Sequence, residues 1–65
     1  MEDFKISLAA ARVNAKMTQQ EAADAINVCK STIIKWESGK TSPNAQKLSN
    51  LLKIYGIPIS RIYLP

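Results

Sequence analysis

The sequence predicts an all-α fold: a compact bundle of five short helices occupying residues 1–65 as one domain. Three observations carry this. Apolar residues recur three or four positions apart along most of the chain, which lines one face of a helix. Helix-start signals (Thr18 with Glu21, Ser42 before Pro43) and stop signals (Gly39, Gly56) follow one another at short intervals. Two glycines, three prolines and few aromatics leave too little turn chemistry for a many-stranded sheet. At 65 residues the chain buries only about 60% of its unfolded surface, so its stability is modest.

The first helix is expected over residues 3–14. Asp3 is its N-cap, and Phe4, Leu8 and Ala11 or Arg12 follow at helical spacing. The alanines at 9–11 combine high helix propensity with little bulk, so a neighbouring helix can approach. Val13 and Met17 are expected to cover the core where the chain turns at 15–16.

The second helix is expected over 18–26. Thr18 and Glu21 have the spacing of a capping box, and Met17 can staple onto Ala22. Ala22, Ala23 and Ile26 form its inward stripe. Asn27 then interrupts the pattern, as one of the few non-glycine types that tolerate the left-handed conformation.

The third helix is expected over Lys30–Ser38, starting after Cys29, with Val28 and Ile33 repeating the staple. At about 100° per residue, Ile33 and Trp36 share one sector with Glu37 beside it. Ser31, Ile34, Lys35 and Ser38 fall opposite, and Lys30 sits near the boundary. The spacing of Trp36 with Ile33 favours a core position over a stacking role. Gly39 closes the helix.

The fourth helix is expected over 43–55, with Ser42 as cap and Pro43 in the first turn. Ala45, Leu48, Leu51, Leu52 and Tyr55 face inward; Gln46, Lys47, Asn50 and Lys53 face water. Gly56 ends it. Pro58 opens a fifth helix to residue 63, with Ile62 closing the core. Ile59, Tyr63 and Leu64 exceed what a terminal helix can hide. They form an exposed interface patch or pack on the chain's own first helix.

Composition excludes several functions. The chain has one cysteine and no histidine, so an internal disulfide and a His-based triad are impossible, and a structural zinc lacks its soft ligands. No Gly-rich phosphate loop occurs. An enzyme, a cofactor and a small-molecule substrate are therefore not expected. The apolar stretches are too short to span a membrane, and MEDFK does not open a signal peptide. The lone cysteine fits a reducing cytoplasm. The net charge of +4 favours a polyanionic partner. All five acids lie at or before Glu37, so only Lys40, Lys47, Lys53 and Arg61 carry charge after it.

Two short helices joined by a tight turn, the second bearing Lys30 and Lys35, read as a helix-turn-helix. Ile34 has no folding reason to face outward, but in a major groove it could contact thymine methyls; the alternative is packing on a neighbouring helix. Lys30 and Lys35 can donate to guanine O6/N7 or to phosphates, and Ser31 to either. On its own, a charged face of this kind is a solvated surface. Lys40, Thr41, Ser42 and Asn44 supply a cation, hydroxyls and an amide beside a helix start, a phosphate-friendly set.

The run TQQEAA at 18–23, Val28, STIIKWESGK at 31–40, Pro43 and the leucines Leu48, Leu51 and Leu52 resemble the phage repressor and Cro-like (XRE-type) family of helix-turn-helix regulators, over roughly residues 8–62. The resemblance implies a sequence-specific transcriptional regulator of the bacterial or phage type. The third helix would lie in the major groove and the second across the DNA backbone, with Gln19 at a position that contacts it. Arg12 and Glu37 match positions that pair in that family and tie the first helix to the third. One helix reads few base pairs, so a homodimer on a palindromic double-stranded operator is expected, with half-sites about 34 Å apart. Cys29 departs from the usual Ser or Thr, which weakens the cap by about 0.5–1 kcal/mol. The alternative is an interaction module of the same fold, antirepressor or antitoxin-like, without sequence-specific DNA binding. The Met1 start and the fifth helix favour a small stand-alone regulator, but the N-terminal domain of a longer repressor would look the same.

Overall fold

A computed structural model describes residues 5–64. In chain order it contains β1 (Ile6–Ser7), α1 (Leu8–Asn14), α2 (Gln19–Ala25), α3 (Lys30–Ser38), α4 (Ala45–Tyr55), a single 3-10 turn (Ile59–Arg61) and β2 (Ile62–Tyr63). The described residues are mostly helical, with four α-helices rather than the expected five.

Both chain ends depart from the sequence reading for one reason. β1 and β2 pair in parallel, with Ile6 opposite Ile62 and Ser7 opposite Tyr63. Extended backbone at each end gains ladder hydrogen bonds that a helix would forgo. The first helix accordingly starts at Leu8, where the Ala10 amide donates to Ser7 Oγ at 3.1 Å. The expected cap Asp3 and its neighbour Phe4 lie outside the described residues. At the other end the fifth helix shrinks to the turn at Ile59–Arg61, closed by the Arg61 amide donating to the Pro58 carbonyl at 3.0 Å. Ile62 then takes an extended conformation and still reaches the core, as its apolar side chain requires.

Three smaller differences follow from competition between nearby groups. Asn44, not Ser42, caps α4: its Oδ1 accepts the Lys47 amide at 2.8 Å. Asparagine is as good a cap as serine, and this choice leaves Pro43 outside the helix. Ala45 becomes the first helical residue and is exposed rather than inward. Val13 is exposed as well, because Leu8 and Ala11 take the inward side of so short a helix.

The core gathers Leu8 and Ala11 from α1, Ala22 and Ala23 from α2, and Ile33 and Trp36 from α3. The α4 stripe Leu48, Leu51, Leu52 and Tyr55 closes over them with Ile26 and Ile62. Ala22 and Ala23 are fully buried, so α2 meets its neighbours with no bulk between backbones. Met17 and Val28 are half-buried against this core, where staple residues belong. No helix among the described residues is long and apolar enough to cross a membrane.

Candidate nucleic-acid interface

Local chemistry sets the geometry of α2 and α3. At the start of α2, Thr18 Oγ1 accepts the Glu21 amide at 3.0 Å, and the Thr18 amide donates to Glu21 Oε1 at 2.8 Å. Asn27 ends the helix with φ 60°, and the Val28 amide donates back to the Ala23 carbonyl at 2.9 Å. That left-handed step turns the chain into α3. Cys29 stands at the N-cap without a side-chain hydrogen bond, as a thiol, a poor acceptor, would. Gly39, with φ 81°, closes α3 at its other end.

Ile33 and Trp36 bind α3 to the core, with Ile33 1% exposed. The opposite side presents Lys30, Ser31, Ile34, Lys35 and Ser38 to solvent, Ile34 at 43% exposure. The expected base-reading set Lys30, Ser31, Ile34 and Lys35 thus lies together on one open face of a single helix. Among the described residues none of Lys30, Lys35 and Lys40 forms an ion pair. Glu21 and Asp24 are held locally, the first in the capping box and the second by Gln20 Nε2 at 2.8 Å.

The loop after α3 folds back on its end. The Lys40 and Thr41 amides both donate to the Lys35 carbonyl, at 3.0 and 3.4 Å. Lys40, Thr41 and Ser42 are exposed, and Asn44 is exposed with its Oδ1 engaged as a cap. A polar strip therefore runs directly on from α3 to the start of α4.

Behind the open face sits a polar cluster. Arg12 Nε donates to Glu37 Oε2 at 2.7 Å in an ion pair whose side chains are 14% and 9% exposed. Arg12 Nη1 donates to the Met17 carbonyl at 2.8 Å, which fixes the guanidinium from a second side. Gln19 Nε2 donates to Glu37 Oε1 at 3.0 Å. Gln19, singled out as a backbone-contacting residue, is thus half-buried with its amide turned toward Glu37. Tyr55, from α4, faces the same charges: burial first, then the Glu37 carboxylate, pushes its pKa up to about 12, with Arg12 opposing.

Sequence reasoning placed Arg12 with Glu37 but missed Gln19 as their partner and Tyr55 as their neighbour. No local signal could have found these, because the four side chains come from four different helices. The left-handed Lys16, φ 62°, was missed too; only its place in the short 15–16 connection hinted at it.

The family model described as "Helix-turn-helix" matches residues 8–62. The chain is similar to the cryptic phage CTXphi transcriptional repressor RstR of Vibrio cholerae, at 37% identity over 51 residues, covering 78% of this chain and 46% of that protein. It is also similar to the HTH-type transcriptional activator BcrR of Enterococcus faecalis, at 32% identity over 60 residues, covering 92% of this chain and 29% of that protein. The chain thus spans less than half the length of either relative. No solved structure matches.

Proposed function

This chain belongs to the helix-turn-helix family, and from that premise we propose that it is a sequence-specific DNA-binding transcriptional regulator. The observation that carries the proposal is the open face of α3, where an exposed isoleucine stands among lysines on a helix anchored from behind by Ile33 and Trp36. α3 enters the major groove. Lys30 and Lys35 donate to guanine edges, Ile34 meets thymine methyls, and Ser31 bonds a base edge or a phosphate. Lys40, Thr41, Ser42 and Asn44 hold the phosphates and fix the register. Gln19 contacts the backbone through whatever hydrogen-bonding capacity Glu37 leaves it. The similarity to a protein named a repressor and one named an activator supports regulation of transcription without favouring either sign.

One nine-residue helix reads few base pairs, so the protein acts as a homodimer on a palindromic operator. Ile59 and Tyr63, 67% and 56% exposed, support a self-association surface near the chain end. The site of action is the cytoplasm of a bacterial or phage-infected cell, where the operator is.

Selection of bound duplexes from a random pool tests this directly: a recovered palindrome reports both base preference and symmetry. Log affinity should fall steeply with log salt. Lys35→Ala should lose about 1–3 kcal/mol of preference for the selected duplex while its melting temperature barely moves. Affinity independent of salt would instead point to a protein-interaction module, with the exposed Ile59 and Tyr63 as its contact surface.

A further inference from the structure

Each of the four helices contributes one side chain to the cluster behind α3: Arg12, Gln19, Glu37 and Tyr55. Three of them satisfy one another. The Glu37 carboxylate accepts from Arg12 Nε at 2.7 Å, from Gln19 Nε2 at 3.0 Å and, more loosely, from Arg12 Nη2 at 3.5 Å. An ionised carboxylate has about four acceptor positions, so capacity for one further donor remains. Tyr55 is 7% exposed, and its hydroxyl is buried with no hydrogen-bond partner among the described residues. A buried donor without an acceptor thus lies within electrostatic reach of an acceptor with room for another donor.

Burying a hydroxyl unpaired is costly, and phenylalanine would fill the same space without that cost. A single water with two or more polar partners is the usual way such a mismatch is resolved inside a protein. We propose that Tyr55 is a positioning residue for DNA recognition: its hydroxyl donates through one buried water to Glu37, completing a network that fixes the roll of α3 against α4. Glu37 lies on the inward flank of the same helix that carries Lys35 and Ile34, so holding its carboxylate from four directions sets where those two side chains point. The hydroxyl stays protonated at neutral pH, since its pKa is pushed up to about 12, and remains a donor. This rests on the DNA-binding reading above for its functional half only.

The experiment combines three readouts on the wild type and on Tyr55→Phe, a variant that keeps the ring. A crystal structure of the wild type at a resolution that shows ordered water should place one within hydrogen-bond distance of both Tyr55 Oη and a Glu37 carboxylate oxygen. Tyr55→Phe should melt about 4–8 °C lower. Well below that temperature, its preference for the selected duplex over a random duplex should fall roughly 3- to 10-fold. A hydroxyl surrounded only by apolar atoms, or a variant melting at the wild-type temperature or above, overturns the network. A lower melting temperature with unchanged duplex preference overturns the positioning role. A wild type with no preference for any duplex overturns the DNA-binding reading instead; the two failures are told apart because the water and melting results involve no DNA.

Discussion

The α2–α3 segment and the two chain ends were built by different means. In α2–α3 each boundary is set by a residue's immediate neighbours: Thr18 with Glu21, Asn27 in the left-handed turn, Gly39 at the close. At the ends the deciding contact joins Ile6 and Ser7 to Ile62 and Tyr63 across nearly the whole chain. Helix propensity at 6–7 and 62–63 lost to a pairing that no window of neighbouring residues contains. Short-range chemistry settles a structure where caps and turns agree with burial, and yields where a distant strand can pair.

The sharpest way to break the α2–α3 side of this comparison is Ile33→Ala. It deletes a side chain 1% exposed and should cost about 2–5 kcal/mol in chemical denaturation. One position on, Ile34→Ala should stay within about 0.5 kcal/mol of wild type while weakening preference for the selected duplex. Equal losses of stability would mean that the two faces of α3 are not distinct.

The next effect is alkaline. Tyr55 keeps its proton in the folded state to about 12, against 10.0 for an unperturbed tyrosine. Between those values the unfolded chain releases a proton that the folded chain retains, so stability falls as pH rises through that window. Tyr55→Phe should lack that part of the decline in urea melts from pH 9.5 to about 12.

Hydrogen exchange probes the contrast itself. Amides paired in the two-residue strands should exchange at least about tenfold faster than those of Ile33 and Trp36, since short terminal pairs open locally. Comparable protection would make the end pairing part of the cooperative core. The smallest effect is a gain: Cys29→Ser supplies the missing cap acceptor at α3 and should raise stability by about 0.5–1 kcal/mol.

Much of the site was legible because its residues lie within one helix and the loop after it. A rotation of about 100° per residue separates Ile33 and Trp36 from Ile34 and Lys35 with no knowledge of anything else. The α4 stripe was legible for the same reason, except at Ala45, where a change of cap from Ser42 to Asn44 moved the helix start. Gln19 shows the limit: its position at the start of α2 was evident, but not that its amide would turn to Glu37.

What the sequence determined by itself was periodicity and punctuation, hence the helix-turn-helix, the buried pair Ile33 and Trp36, and the basic face opposite. Those follow from backbone geometry, which is the same in any chain. The tertiary structure alone decided that residues 6–7 and 62–63 pair as strands, that Val13 is left in solvent, and that buried Tyr55 comes within electrostatic reach of the Arg12–Glu37 pair. Each depends on which distant atoms compete for the same partner or the same space, and that competition exists only once the helices have packed.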